Sequence, residues 1–176
     1  IYCNPASTSY AITLKKNIIT GNSKKIDGIR ADSGKLILSS NTISSCSRAI
    51  ILSSKVKGTV YPNTFKKNTY NNVKVNSSYV NTLTVKSLSG KSKSAKTATL
   101  NWKKLSSASG YVVYRSASKN GSYTKISTIK KNKTITYKDS KLKRKSTYYY
   151  KIVPYTTIGK TTVYGLDSKI VSIKIK

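Results

Sequence analysis

Thr97-Ala98-Thr99-Leu100-Asn101-Trp102 alternates polar with small or apolar side chains at every step. Successive side chains of an extended strand point to opposite faces, so this period of two predicts a half-buried antiparallel strand with Ala98, Leu100 and Trp102 inward. The same alternation returns downstream, in Tyr148, Tyr150 and Ile152 against Tyr149, Lys151 and Val153, and in Val171, Ile173 and Ile175 against Ser172, Lys174 and Lys176. Seven strands are predicted, near 82–88, 97–103, 110–116, 122–129, 134–138, 146–156 and 162–175. Turns are expected at Ser89-Gly90, Asn120-Gly121 and Ile158-Gly159, with a break in the last strand around Gly165-Leu166-Asp167. Seven antiparallel strands in one such run make a sandwich.

Upstream of about Asn81 the period changes. Asn17-Ile18-Ile19, Asn41-Thr42-Ile43 and Asn63-Thr64-Phe65 recur at intervals of 24 and 22, and five residues after each Asn stand Asn22, Cys46 and Asn68. A second phrase, a small residue and then branched apolar ones, appears as Ala11-Ile12-Thr13-Leu14, Gly28-Ile29-Arg30, Ala49-Ile50-Ile51-Leu52 and Asn72-Val73-Lys74-Val75. A period near 22 built from short β-branched stretches predicts a coiled solenoid, in which each turn buries its apolar face only by stacking on its neighbours. Equivalent residues then recur about every 4.8 Å along the stack, which would set Asn17, Asn41 and Asn63 in an internal amide ladder, a structural role.

Two family resemblances follow from these phrases. The Asn-x-Ile and Gly/Ala-Ile phrases, over about residues 1–76, resemble the right-handed parallel β-helix of pectate-lyase-like proteins. The run from Thr97 to Trp102, with Gly110-Tyr111-Val112-Val113-Tyr114-Arg115 and with Leu142 six residues before Tyr148-Tyr149-Tyr150-Lys151-Ile152, is similar to a fibronectin type III module. Trp102 then sits on the second strand, and the Leu142-to-Tyr148 spacing implies a tyrosine corner, whose phenol oxygen hydrogen-bonds to backbone just upstream. The turn before Tyr148 has Lys143-Arg144-Lys145 in place of the usual Pro, and no Arg-Gly-Asp tripeptide is present to imply integrin recognition. The expected fold is all-β: a short right-handed parallel β-helix segment of three to four coils over residues 1–80, then a seven-stranded antiparallel β-sandwich over 81–176.

The composition excludes most chemistry. Against 34 Lys and Arg stand four acids, Asp27, Asp32, Asp139 and Asp167, with no Glu and no His, for a net charge of +30. A glycoside hydrolase needs two carboxyl groups about 5 to 9.5 Å apart, whereas Asp27 and Asp32 on one strand would be roughly 16 Å apart on opposite faces unless a corner intervenes. Asp27, Asp32, Arg30 and Lys24 form the loose set a β-helix lyase would offer, yet calcium wants six to eight oxygens, and two carboxylates amid many cations supply few. Ser and Cys have no His base, and two Cys without His make no metal site. No catalytic residue, metal or cofactor is therefore assigned. The first 80 residues carry 12 basic and two acidic residues (+10), and the remainder 22 and two (+20). This field is either a lysine coat that keeps the chain soluble or a contact for polyanions. Lys outnumbers Arg heavily and no recognition helix is in view, so only non-specific attraction to nucleic acid is expected. No apolar run nears the roughly 20 residues of a membrane span.

Candidate ligand residues come from the 14 tyrosines. Alternation turns Tyr114 and Tyr149 outward, and with them Tyr155 and Tyr164, where a phenol ring can stack on a sugar; Arg115, next to Tyr114, completes the candidate set as a cation for an acidic group, and the alternative is ordinary cross-strand pairing of tyrosines. The expectation is a monomeric, non-catalytic binding or scaffolding segment. It would form the C-terminal end of a longer secreted or cell-surface bacterial protein acting at a polysaccharide or anionic cell-wall polymer, with the sandwich capping the solenoid. The absence of Met and the start at Ile1 read as a piece of something longer. The rival readings are a fragment of a polysaccharide lyase or hydrolase with its active site upstream, and a surface adhesin module. Cys3 and Cys46, close to two coils apart, would be separated by about 9 to 10 Å, beyond the ~7 Å reach of a disulfide. Ellman's reagent on unreduced, denatured protein should titrate both thiols; a titre of zero would mean that they are bridged.

Overall fold

The computed structural model describes residues 1–3, 11–21, 26–80 and 83–176. Asn22, Lys24 and residues 81–82 lie outside the described residues. Every described element is a strand, as Thr-, Tyr- and Val/Ile-rich sequence favours. The chain divides into two compact units, Ile1–Thr82 with Thr156–Gly165, and Leu83–Tyr155 with Leu166–Lys176.

The first unit contains β1 (Tyr2–Cys3), β2 (Ala11–Lys15), β3 (Ile18–Thr20), β4 (Ile29–Ala31), β5 (Lys35–Ser39), β6 (Thr42–Ser44), β7 (Arg48–Leu52), β8 (Lys57–Val60), β9 (Thr64–Lys66), β10 (Tyr70–Val75) and β11 (Ser78–Val80). The strands are short because single residues in the left-handed region turn the chain between them. Lys16 (φ 58°) and Ser40 (φ 55°) do so before Asn17 and Asn41, and Ser45 (φ 56°) and Lys67 (φ 51°) before Cys46 and Asn68. The chain visits three ladders in turn, and each pass pairs in parallel with the one before: β1-β4-β7-β10, β2-β5-β8 and β3-β6-β9. Register stacks like on like. Ile29, Ile50 and Val73 form one inward column, Cys3, Ala31, Leu52 and Val75 a second, Leu14, Leu38 and Val60 a third, and Ile19, Ile43 and Phe65 a fourth. Burying one such Leu or Ile contributes about 1.5–3 kcal/mol.

Two expectations change here. Ala11-Ile12-Thr13-Leu14 does not belong with the Gly28, Ala49 and Asn72 phrases, because it pairs with Lys35–Ser39 in the second ladder, 24 residues on. Cys3 and Cys46 are both buried and unbridged, but they are separated by lying in different columns. Cys3 stacks under Ala31, whereas Cys46 stands at a corner, its backbone N–H donating to Asn68 Oδ1 at 2.9 Å.

The second unit contains β12 (Leu88–Lys91), β13 (Ala98–Trp102), β14 (Gly110–Ser116), β15 (Thr124–Ile129), β16 (Thr136–Asp139), the part of β17 (Thr147–Ile158) up to Tyr155, and β19 (Val171–Lys174). Two antiparallel sheets, β12-β13-β16 and β15-β14-β17-β19, bury Leu100, Trp102, Tyr111, Val113, Tyr150, Ile152 and Ile173 between them. This is a β-sandwich. Trp102 packs edge-on against Tyr111, with ring centroids 5.3 Å apart. The Lys143 N–H donates to the Tyr148 hydroxyl at 3.3 Å, closing the corner that the Leu142-to-Tyr148 spacing implied. The first strand starts at Leu88 rather than 82, since residues 83–87 make no ladder, and Ser89-Gly90 lies inside it instead of forming a turn. Gly90 is there because the sheets approach closely: a Cβ would stand 2.4 Å from Ile173 Cδ1.

The segment Thr156–Gly165, expected within the sandwich, belongs to the first unit. Here the end of β17 turns at Gly159-Lys160 into β18 (Thr161–Tyr164), and β18 pairs in parallel with β8, setting Val163 on Val60. Thr161 is buried and donates to the Val56 carbonyl at 3.0 Å. The first ladder ends differently, on the antiparallel hairpin β10–β11, with Val80 opposite Val73.

At the corners the three asparagines form the expected ladder. Asn17 Nδ2 donates to Asn41 Oδ1 at 3.0 Å and Asn41 Nδ2 to Asn63 Oδ1 at 2.9 Å, while the backbone N–H groups of Asn17 and Asn41 donate to those same oxygens at 3.0 and 2.9 Å. Asn41 is fully buried and also donates to the Leu14 carbonyl at 3.0 Å. Replacing it strands buried polar groups above and below, each costing about 1–3 kcal/mol. Asn41→Ala should lower unfolding stability by about 3 kcal/mol or more, and Asn17→Ala, at the half-exposed start, by about 1 kcal/mol or less. Urea denaturation checks both, and equal losses would remove the ladder's cooperative role.

Candidate tyrosine-lined face

Strand pairing sets an aromatic surface on the outward side of the sheet β15-β14-β17. Tyr114 lies directly across from Lys151, and Tyr149 across from Ser116 on one side and Ser172 on the other. The Lys151 ammonium stands 5.7 Å from the Tyr114 ring centroid and 4.8 Å from that of Tyr123, and it contacts Asp167 Oδ2 at 2.7 Å. Cation–π geometry of this kind is worth about 0.5–1 kcal/mol at an exposed site. Tyr123 is held by its hydroxyl, which donates to the Lys119 carbonyl at 3.0 Å. Burial first, then the neighbouring Tyr149 and Asp167, push the Tyr123 phenol above its ordinary pKa. A phenol offers a hydroxyl that donates and accepts at the edge of a flat apolar ring.

The residues singled out in the sequence do not form one site. Tyr114 and Tyr149 share this face. Tyr155 packs over Gly110, its cross-strand neighbour, so closely that a Cβ there would stand 2.6 Å from Tyr155 Oη, and burial pushes its phenol pKa up. Tyr164 lies in the first unit, stacked face to face on Tyr61 with centroids 5.0 Å apart. Arg115 points to the opposite side of β14, where it donates to both carboxylate oxygens of Asp139, at 3.2 and 3.0 Å, and lies over the Tyr148 ring at 5.4 Å. That ion pair is half-exposed at most and fixes Arg115 in a structural role.

Sequence reasoning missed Tyr123, Lys151 and Asp167. The alternation that turns Tyr149 outward does the same for Lys151, but Tyr123, expected inside a strand near 122–129, precedes β15, which starts at Thr124, and Asp167 falls in the break before β19, where no periodicity operates. It also missed a row across the first ladder: Tyr2, Arg30, Ile51, Lys74 and Tyr79 stand in register, with Lys74 5.6 Å from the Tyr79 ring and Arg48 5.2 Å from that of Tyr70. Asp27 and Asp32 both reach Arg30, at 4.0 and 3.5 Å, and the Tyr2 hydroxyl donates to Asp32 at 2.9 Å. Asp27 and Asp32 stand on either side of the three-residue strand β4 instead of sharing one longer strand, so the separation expected for a single strand does not apply. Among the described residues no group of three or more His, Cys, Asp or Glu is placed to hold a metal ion, and no helix is long and apolar enough to cross a membrane.

No protein-family model matches the chain, and no curated protein does. Solved structures do match in part. A Fn3-like protein from Clostridium thermocellum is 29% identical over 51% of this chain and 88% of its own, with a TM-score of 0.44. The chain is similar in part to fibronectin type III domains. The sixth such domain of human fibronectin type III domain containing protein 3 is 19% identical over 55% of this chain and 87% of its own, with a TM-score of 0.45. The FN1–FN3 domains of a chicken protein are 17% identical over 59% of this chain and 34% of theirs, with a TM-score of 0.47.

Behind the tyrosine-lined face, Asp139 is buried and accepts from Arg115, from the Tyr150 hydroxyl at 2.9 Å and from the Ser140 N–H at 3.0 Å. Burial, then the charge of Asp139 and the hydrogen bond to it, hold the Tyr150 phenol protonated and push its pKa far up. Its folded pKa exceeds the unfolded value of about 10, so its contribution is complete below pH ~10 and is lost as pH rises above that. The melting temperature of the protein should fall more steeply above pH 10 than that of Tyr150→Phe. Parallel slopes for the two proteins would remove Tyr150 from the alkaline transition.

Proposed function

We propose that the chain is a binding or scaffolding segment of a secreted or cell-surface bacterial protein, acting on polysaccharide or an anionic wall polymer. In this reading residues 1–80 are coils of a right-handed parallel β-helix and residues 81–176 a fibronectin type III-like module. Three ladders of parallel strands, entered in a fixed order on each pass, support the first assignment. The Trp102–Tyr111 contact and the Tyr148 corner support the second. The segment acts as a monomer, with any chemistry of the parent protein residing outside these residues.

One observation carries the ligand class: Tyr114, Tyr123 and Tyr149 gather on an outward sheet face around an ammonium that Asp167 holds in place. Rings of this kind stack on the apolar face of a pyranose, while Lys151 and Asp167 offer a donor and an acceptor to its hydroxyls. Ser116 and Ser172, beside Tyr149, keep the surface flat. The ion pair fixes the lysine's position at little net cost, since exposed pairs contribute about 0–1 kcal/mol.

Affinity electrophoresis in gels cast with neutral and acidic polysaccharides, repeated from about 50 to 500 mM salt, tests the reading, because screening shortens several-fold over that range. Retention by a glycan should persist at high salt and should fall at least tenfold for the double variant Tyr114→Ala, Tyr149→Ala. Retention that salt abolishes, or that the variant keeps, would defeat the stacking site.

A further inference from the structure

The second unit ends in a cluster of cations that the tyrosine-lined face does not use. Two stretches carry it: Lys91-Ser92-Lys93-Ser94-Ala95-Lys96, from the last residue of β12 into the loop before β13, and Lys141-Leu142-Lys143-Arg144-Lys145 between β16 and β17. Backbone bonds stitch them together. The Leu142 N–H donates to the Lys96 carbonyl at 3.0 Å, the Lys145 N–H to the Ile175 carbonyl at 2.9 Å, and the Lys176 N–H to Ser92 Oγ at 3.2 Å. Leu142 and Ile175 anchor these segments in the core, and Lys93, Lys96, Lys141, Lys143, Arg144 and Lys145 are all exposed.

Nothing on these loops neutralises them. Asp139, the acid nearest in sequence, turns its carboxylate inward to Arg115 and Tyr150, and Asp167 is bound to Lys151 on the other sheet. Three of the cations, Lys96, Lys141 and Lys145, occupy left-handed backbone at φ 60°, 59° and 60°. Gly or Asn fits that conformation better; Lys16 and Lys67 take it in the first unit as well, so here it marks the tight turns of the two loops. The cluster also continues round the edge of the sandwich. Lys91 and Lys138 flank Thr99 across the outward side of β12-β13-β16, two strands and about 10 Å apart.

We propose that this end of the second unit is a docking surface for a flexible polyanion with a phosphate on each repeat. Closely spaced lysines act as compact point charges that suit phosphate oxygens without the bidentate fork of arginine. A patch that bends from a sheet face onto two loops can be followed by a flexible chain, whereas a bilayer plane or a rigid duplex meets only part of it. Leu142 is buried, so the second loop offers no apolar side chain for insertion into lipid.

Long-chain inorganic polyphosphate is the probe, titrated into the full 176-residue chain by fluorescence anisotropy across a salt series. A quadruple variant with Gln at Lys141, Lys143, Arg144 and Lys145 is compared with a control that removes four charges elsewhere, with Gln at Lys103, Lys104, Lys130 and Lys131. Each phosphate contact contributes about 0.7 to the slope of log affinity against log salt, so the first variant should lose about 3 from that slope and at least tenfold in affinity at 100 mM salt. The control should stay within about threefold of the parent, with a slope reduced by less than about 1. Melting curves establish that both variants fold. Equal losses in the two variants would reduce the effect to net charge and overturn the proposal, as would binding duplex DNA or phosphatidylglycerol vesicles as tightly, per phosphate, as polyphosphate. Loss of polyphosphate binding leaves the glycan retention of the Tyr114–Tyr149 face untouched, so the two readings fail separately.

Discussion

Each corner between the second and third ladders turns a backbone N–H along the stack, away from any partner within its own pass. An asparagine on the next pass supplies the acceptor: Asn41 Oδ1 receives the Asn17 N–H, and Asn63 Oδ1 the Asn41 N–H. Because one oxygen also takes the side-chain amide from the pass before, two donors are satisfied at a site from which water is excluded. The columns of Ile, Leu and Val gain their burial only if successive passes stay in register, and the amide ladder fixes that register at a fully buried Asn41. Hydrophobic contact alone tolerates a slip between Ile, Leu and Val, whereas a buried amide does not.

The same logic explains how the stack stops. A last parallel strand would leave a row of unpaired donors and acceptors, an invitation to edge-to-edge association. The first ladder is closed locally, by the hairpin into β11. The second is closed from far along the chain, by β18 on β8, with Thr161 bonded to the Val56 carbonyl across 105 residues of sequence. The chain therefore crosses from one compact unit to the other three times, after Thr82, after Tyr155 and after Gly165. A cut at any one crossing leaves two connections.

The legible parts of the sequence were those with a local period. Alternation located Ala98, Leu100 and Trp102 in the core of the sandwich, and an interval of 22 to 24 located the asparagine ladder. What escaped was non-local. Nothing about Thr161-Thr162-Val163 announces a partner at Thr59-Val60, and Lys138-Asp139-Ser140 reads as surface although Asp139 is 6% exposed and holds Arg115 and Tyr150 together. Gly90 reads as a turn because close approach of two sheets leaves no trace in the sequence around it. For the tyrosine-lined face, strand alternation placed Tyr114 and Tyr149, while Tyr123 lies just outside the strand predicted to hold it and Asp167 arrives from a loop whose path no periodicity predicts.

Synthesis order gives the long-range closure a temporal side. A ribosome adds about 5–20 residues each second, so roughly 5–20 s separate the emergence of Val56 from that of Thr161. During that interval the outer edge of β8 has no partner, and the column of Leu14, Leu38 and Val60 lacks the Val163 that β18 sets on it. Lys57 at the start of β8 places a charge on the open edge, with the like charge of Lys35 in register one strand in. Charge at an edge discourages a second nascent chain from pairing there, so lysines that weaken the finished sheet slightly can guard the unfinished one.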